Sequence, residues 1–283
     1  MKPAPFDMHR PEQIEEALDL LARHAGIAKV IAGGQSLVPL MNLRMATPGV
    51  LVDLGRIRSL RAIGLHEGGL LIGAMSRQAE CLASPLVASR APLLRQTLEN
   101  IGHVQTRARG TIGGSLAHAD PAAELPVAMV AADATFSVRS ARGSRRIKAR
   151  EFFKGALETA LGEDEILEHI VIPPAIGART YFKEYARRHG DFAIVSVAIL
   201  CSGKRQAPGS LAIALGGLMA TPHLCTGLMA ATSAGVDGAS IQSLVETELA
   251  ALTAMSDIHA SGEYRKHLAA VLLADGLTEV LKP

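Results

Sequence analysis

Two loops, each built around a pair of glycines, constrain this chain more than any other feature. The first spans residues 30–37 (VIAGGQSL), where an apolar run that reads as a buried strand stops at two glycines and continues into polar residues. The second spans residues 111–115 (TIGGS) and repeats the pattern. The two loops are too far apart in sequence to belong to one β-α-β unit of about 30 residues. We therefore expect them on separate segments of the fold.

Paired glycines allow positive φ angles and let the backbone approach a bulky group closely. Successive amides in such a turn can form a nest for an anion, which is the chemistry needed to hold a diphosphate. The alternative is a tight strand-to-helix turn without a ligand. Neither loop matches the G-x-G-x-x-G pattern of common dinucleotide sites or the G-x-x-x-x-G-K-[ST] pattern of P-loops. Two nests on separate segments could instead clamp one diphosphate from two sides.

Composition narrows the class of protein. The net charge is +2, aromatic residues make up 3% and tryptophan is absent, so we expect no nucleic-acid partner. The nearly uncharged stretch 211–231 is interrupted by Gly216-Gly217 and Thr221-Pro222, so we expect no membrane span. The three cysteines are far apart and match no zinc or iron–sulfur spacing. They are typical of reduced core residues in a cytoplasmic protein.

The pattern along the chain predicts an α+β fold in three parts. A helix over 11–25 and strands over 27–32 and 48–54 make residues 1–55 a compact α/β unit. Residues 56–176 follow as a mixed second part. Its predicted elements are strands over 57–72, helices over 92–103 and 121–132, a hairpin over 135–148 and a strand over 166–172.

The pattern changes after a linker at 173–177. Residues 177–283 begin with a run of strands and end with a run of helices, which is typical of an α+β domain. The predicted strands cover 181–185, 192–201 and 211–218, and the predicted helices cover 241–255 and 264–280.

Both loops resemble the two FAD-binding signatures of the medium subunits of molybdenum hydroxylases. The matching stretches are AGGQSLVPLMNLRM (32–45) and RARGTIGGSLAHADPAAELP (107–126), followed by EDEILEHIVIP (163–173) and FKEYARRHGDFAIVSVA (182–198). The family is the aerobic carbon monoxide dehydrogenase type, related to the FAD domain of xanthine dehydrogenase. The resemblance implies a two-subdomain FAD-binding fold of the vanillyl-alcohol-oxidase type. It also implies a small C-terminal domain with a three-stranded antiparallel sheet and a helical bundle.

The resemblance also implies which residues bind FAD. The amides of the two loops would hold the diphosphate, and Glu124 would accept hydrogen bonds from ribose or polyol hydroxyls. Leu167 would contact the adenine side, and Lys183 would lie near the isoalloxazine ring and stabilise reduced flavin. The full set implied to bind the cofactor is Val30, Ile31, Ala32, Gly33, Gly34, Gln35, Ser36, Leu37, Ile101, Thr111, Ile112, Gly113, Gly114, Ser115, Glu124, Leu167 and Lys183.

The roles of three further residues stay open. Phe192 stands where the resemblance places an aromatic shield over the flavin, often a tyrosine. His118 and Asp120 lie inside the second signature, where they serve either loop structure or a proton relay. We assign no catalytic residue and no metal ligand in this chain.

The resemblance implies an electron-transfer subunit. FAD would take electrons from the [2Fe–2S] clusters of a small subunit and pass them to an external acceptor. A large subunit with a molybdopterin cofactor would act on the substrate, in a dimer of heterotrimers in the cytoplasm. The substrate and acceptor stay open. Two alternatives are a stand-alone flavin oxidoreductase acting on a small organic substrate and a non-enzymatic module that binds a nucleotide.

Overall fold

The computed structural model describes residues 2–204, 207–233 and 238–282. They form three larger sheets and one two-stranded sheet, with helices packed around them, and each of the three larger sheets has an apolar cluster of its own. The α+β class expected from the sequence is confirmed.

The first part is a small parallel sheet with the strand order β1-β3-β2. Its elements are β1 (Asp7–His9), α1 (Ile14–Arg23), β2 (Ala28–Ile31), α2 (Leu37–Asn42) and β3 (Val50–Asp53). The apolar residues of α1 recur at helical spacing, so one face of the helix is buried against the sheet while its glutamates face solvent. This packing fixes β2, and therefore the start of the first glycine loop.

Two short 3₁₀ turns over 54–61 lead into the second part, a five-stranded antiparallel sheet in the order β4-β5-β10-β6-β7. Its elements are β4 (Ile63–His66), β5 (Gly69–Gly73), α3 (Gln78–Ala83), α4 (Pro85–Arg90), α5 (Pro92–Asn100), α6 (Val104–Arg109), α7 (Ile112–His118), α8 (Glu124–Ala131), β6 (Thr135–Ser140), β7 (Gly143–Lys148), α9 (Ala149–Phe152), β8 (Phe153–Gly155), β9 (Glu158–Thr159) and β10 (Ile166–Ile172). All eight residues of α8 are buried, so it is the central helix of this part.

The third part is an antiparallel sheet in the order β11-β12-β13-β14, with helices on one face. Its elements are β11 (Arg179–Tyr185), β12 (Val195–Lys204), β13 (Ala207–Gly216), β14 (His223–Leu224), α10 (Thr226–Ser233), α11 (Gly238–Ala250) and α12 (Gly262–Leu281). The expected three strands are present, and the two-residue β14 adds a fourth. Across the residues that the structure describes, no helix is both long and apolar enough to cross a membrane.

The two faces of the third sheet serve different parts of the molecule. Phe182, Ala198 and Ala214 belong to the apolar cluster of the second part, whereas Tyr181, Val197 and Ile213 pack with α11 and α12. Alternation along the strands therefore joins the C-terminal sheet to the second part on one side and to its own helices on the other.

Candidate functional site

The two glycine loops lie against each other in the structure. A Cβ on Gly33 would collide with the backbone carbonyl of Arg109. A Cβ on Gly114 would come within 2.6 Å of Thr111 Oγ1 and 3.2 Å of the Ala32 Cβ. The missing side chains therefore permit the loops to touch, which brings β2 and α7 together although about eighty residues separate their glycine pairs.

The first loop carries unused backbone donors. Gly34 has a φ of +71°, the left-handed conformation that glycine adopts readily. Within the described residues, the N–H groups of Gly33, Gly34, Gln35 and Ser36 donate to no protein acceptor. A run of free amides at a sharp turn before a helix is an arrangement that binds anionic groups. This loop fits a diphosphate.

The second loop differs from the expectation. The amides of residues 112–115 already donate within the protein, to the carbonyls of Ser76, Ala74 and Thr111 and to the Thr111 hydroxyl. These bonds tie the start of α7 to the end of β5. The second loop therefore packs against the first, and the amides of residues 112–115 already have acceptors within the protein.

Ile101 and Leu167 both belong to the large apolar cluster of the second part, which also contains Ile112 of the second loop. The strand that carries Leu167 is also linked to this loop by hydrogen bonds. Ala74 donates to the carbonyl of Glu168 at 2.9 Å and accepts from Gly113 at 2.8 Å. Both residues are almost completely buried.

Two carboxyl groups lie where the second and third parts meet. Glu124 begins α8, is 6% exposed, and has its pKa raised to about 7 by burial, with the charge of Asp120 adding to the effect. Burial and the charge of Glu124 raise the pKa of Glu184 on β11 to about 8. Glu184 Oε2 is buried and has no hydrogen-bond partner within the described part of the chain. A buried oxygen without a donor is costly, so a group that presents hydroxyls or N–H donors would fit here.

A cavity of about 530 Å³ opens between the second and third parts, and its lining includes Asp120. One wall is formed by residues 120–122, and another by residues 190–194, which include Phe192. Phe192 is 65% exposed, so an apolar ring is available at the mouth of the cavity. The cavity is of the size that small ligands and cofactor rings occupy.

Comparison with known protein families matches both halves of the chain. Residues 4–175 match the family described as the FAD binding domain in molybdopterin dehydrogenase. Residues 180–280 match the CO dehydrogenase flavoprotein C-terminal domain. The chain belongs to the FAD-binding medium subunits of molybdenum hydroxylases. Its fold, its free loop amides and its unpaired carboxylate are consistent with an FAD site.

Individual relatives extend over nearly the full length. The 6-hydroxypseudooxynicotine dehydrogenase complex subunit alpha of Paenarthrobacter nicotinovorans is 34% identical and covers 99% of this chain and 96% of its own. The carbon monoxide dehydrogenase medium chain of Afipia carboxidovorans is also 34% identical and covers 96% of each chain. The solved carbon monoxide dehydrogenase of Hydrogenophaga pseudoflava superposes with a TM-score of 0.96 at 31% identity, covering 99% of this chain and 98% of its own. These similarities support a medium subunit and give no support to a stand-alone flavin oxidoreductase.

Lys183 is the predicted residue of this medium subunit that the structure does not bring to the site. It follows Phe182 on β11 and therefore points to the opposite face of the sheet. Its ammonium group is exposed and donates to Asp275 on α12 at 2.9 Å. The placement argues against a side-chain contact between Lys183 and the flavin ring.

Asp120 and His118 have environments that bear on their open roles. Asp120 Oδ1 accepts from the Ala122 amide at 2.9 Å, so this carboxylate shapes the turn into α8. Burial lowers the pKa of His118, Asp120 opposes this shift, and Lys29 adds to it. The lowered pKa favours a neutral imidazole at neutral pH.

Glu184 is the site residue that sequence reasoning missed. One signal was available, because alternation in 181–185 (YFKEY) places Phe182 and Glu184 on the same face. A carboxylate that shares the inward face with a buried phenylalanine needs a partner. Knowing that this face meets the second part required the structure.

Proposed function

We propose that this chain holds FAD with the diphosphate on the free amides of Gly33–Ser36 and the flavin directed toward the Glu124–Glu184 pair. When bound, FAD exchanges electrons, and the protein supplies position and electrostatics. The observation that carries the proposal is the run of unpaired amides in the first loop, in a chain that belongs to an FAD-binding family.

Each side chain has a task in this arrangement. Glu124 accepts a hydrogen bond from a cofactor hydroxyl, because a carboxylate only accepts while a hydroxyl donates. Glu184 offers the buried oxygen that lacks a donor. Phe192 packs near the ring from the mouth of the cavity, where an apolar surface excludes water. The second loop holds the first in place from behind.

Electron transfer requires partners that this chain does not supply. We assign two of them, a small subunit with [2Fe–2S] clusters as electron donor and a large subunit with the molybdopterin cofactor. The three cysteines support this division, because each is buried and free. Clusters of this type need a set of thiolate ligands. We further propose a dimer of heterotrimers in the cytoplasm, with buried thiols that suit a reducing compartment.

The names of two relatives limit the substrate class. One relative is named for 6-hydroxypseudooxynicotine and another for carbon monoxide. The large subunit contacts the substrate in the proposed division, so we extend to this chain only the shared chemistry, which is oxidation at the molybdenum site followed by electron relay.

The role of the first glycine loop in binding FAD is tested by comparing Gly34→Ala with Gly68→Ala. Both glycines have left-handed φ angles, +71° and +80°, so both substitutions carry a similar backbone penalty of about 1–2 kcal/mol. Gly68 lies in the β4–β5 turn with no atom within 4 Å of an added Cβ. We expect Gly34→Ala to lower FAD affinity at least about tenfold, because the reshaped loop misplaces its amides. We expect Gly68→Ala to keep the affinity of the original chain.

The measurement is flavin retention and Kd by fluorescence titration, with circular dichroism to verify folding. Equal FAD affinity in the two variants would show that the first loop does not hold the cofactor. Gly114 is a poorer position for this test, because a side chain there would push against Thr111 and Ala32 even without FAD.

A further inference from the structure

Three side chains with metal-binding atoms meet in the C-terminal domain. His223 begins β14, Cys225 follows that strand directly, and Glu248 lies on α11. One nitrogen, sulfur or oxygen atom from each lies within 4.8 Å of the other two. His223 Nε2 and Glu248 Oε1 are 3.0 Å apart. This sequence contains no spacing typical of a zinc site, so only the fold reveals the group.

The separations between the three ligand atoms approach those of a tetrahedral zinc site. Zinc binds nitrogen and oxygen at about 2.0–2.2 Å and thiolate sulfur at about 2.3 Å, so neighbouring ligand atoms lie roughly 3.3–3.8 Å apart. The group therefore needs a movement of only about 1 Å to close around an ion. One nitrogen, one sulfur and one oxygen ligand would leave the fourth position for water.

The carboxylate of the group is already held in place. Glu248 Oε2 accepts from the Leu228 amide at 2.8 Å. Gly227 makes room for it, because a Cβ there would lie 2.8 Å from the same oxygen. Hydrogen bonds that orient a ligand from behind are typical of protein metal sites. With Oε2 fixed in this way, Oε1 is presented to His223.

The burial of the group suits a structural ion. Cys225 is completely buried, and the side chains of His223 and Glu248 are 23% and 11% exposed. The apolar side chains of Leu228 and Val245 pack in the same cluster as Cys225. An ion at this site would be largely enclosed by protein, with solvent access through the partly exposed side chains of His223 and Glu248.

We propose that His223, Cys225 and Glu248 bind one Zn²⁺ ion that fastens the edge strand β14 to α11. The site lies on the helical face of the third sheet and is separate from the glycine loops. Binding forms three coordinate bonds and releases the thiol proton of Cys225 to solvent, with no change of oxidation state. Because β14 has only two residues, it gains most from such a link. The proposal does not depend on the electron-transfer assignment.

The test uses the full chain after chelator treatment, titrated with Co²⁺ as a spectroscopic substitute for zinc. We expect one equivalent to bind, with visible absorption at wavelengths beyond the flavin bands, and Zn²⁺ to displace it. Cys225→Ala is expected to lower the affinity at least about 100-fold. Cys81→Ala is the matched control, because Cys81 is an equally buried free cysteine in the second part.

The unfolding temperature provides a second test, which keeps the proposal testable if a variant folds poorly. Zn²⁺ at about 100 times its Kd should raise the unfolding temperature of the original chain by about 5 °C and leave that of Glu248→Gln unchanged. Failure of the folded original chain to bind Co²⁺ would overturn the proposal, and so would equal binding by Cys225→Ala. In that case the three side chains form only a hydrogen-bonded group in the core.

Discussion

The side chain of Glu184 combines burial, an unpaired oxygen and a neighbouring carboxylate. Its pKa, raised to about 8, lies well above the roughly 4.3 of an exposed glutamate. The folded chain therefore holds a proton on Glu184 that the unfolded chain releases as the pH passes 4.3. Without cofactor, the contribution of Glu184 to the free energy of unfolding falls as the pH rises from about 4.3 to about 8.

Glu184→Gln is expected to remove much of this dependence, because glutamine stays neutral throughout the range. The unfolding temperature of the flavin-free variant should exceed that of the original chain, and the excess should grow by several degrees between pH 5.5 and pH 8.5. Thermal unfolding followed by circular dichroism measures the difference. Glu163→Gln, at an exposed position, is the control and should shift neither value. An identical pH dependence for Glu184→Gln and the original chain would refute the assigned proton.

Among the helices, α12 fixes the cavity through Arg265. This side chain is 4% exposed and donates to the carbonyls of Ile194 at 2.5 Å and Gly217 at 2.7 Å. It also pairs with Asp257 at 2.7 Å. One guanidinium group thus connects α12 to the end of the Phe192 loop and to the turn after β13. Several acceptors at different directions suit arginine and cannot all be reached by lysine.

Arg265→Met should destabilise the chain by about 3 kcal/mol, because it leaves the carbonyls of Ile194 and Gly217 without this donor and removes the ion pair with Asp257. Chemical denaturation measures this loss. Lys266→Met provides the control, since Lys266 is the next residue on α12 and its ion pair with Glu263 is long, at 4.0 Å. A loss below about 1 kcal/mol for Arg265→Met would mean that these bonds contribute little.

The long, strongly patterned elements could be predicted from the sequence, whereas contacts between elements could not. The sequence predicted strands from the alternation in 135–148 and 166–172 and a helix from the spacing in 11–25. These patterns reflect which side chains are buried within one element, and the structure has strands and a helix there. The helices α4, α6 and α7 have only six or seven residues each, too few for a clear periodic pattern. The two-residue β14 has no pattern at all. Such elements exist because of their tertiary packing.

At the candidate site too, local features could be predicted from the sequence, whereas contacts between segments could not. The glycine pairs marked both loops, but the sequence could not show that one loop uses its amides internally while the other leaves them free. Lys183 was implied by resemblance, yet strand alternation places its ammonium beside Asp275. Glu184, its neighbour in sequence, faces the second part instead. Which face of β11 meets that part is decided by packing at long range.

At the scale of the whole molecule, the proposed relay predicts that chemistry and flavin reduction can be separated. In the intact complex, substrate should reduce the flavin of this chain. In the isolated FAD-loaded chain, the same substrate should leave the flavin oxidised, while a chemical reductant should still reduce it. Anaerobic absorption spectra distinguish the two states of the flavin. Direct reduction of the isolated chain by an organic substrate would favour a stand-alone oxidoreductase.

The strand order of the five-stranded sheet has a consequence for how the protein is made. Its middle strand, β10, comes last in the chain among the five, and β5 and β6 have no direct pairing with each other. A ribosome must therefore have translated residues up to about Ile172 before this sheet can close. Until then, the β4-β5 and β6-β7 hairpins each have an unpaired strand edge. During that interval the nascent polypeptide is most exposed to aggregation and chaperone capture.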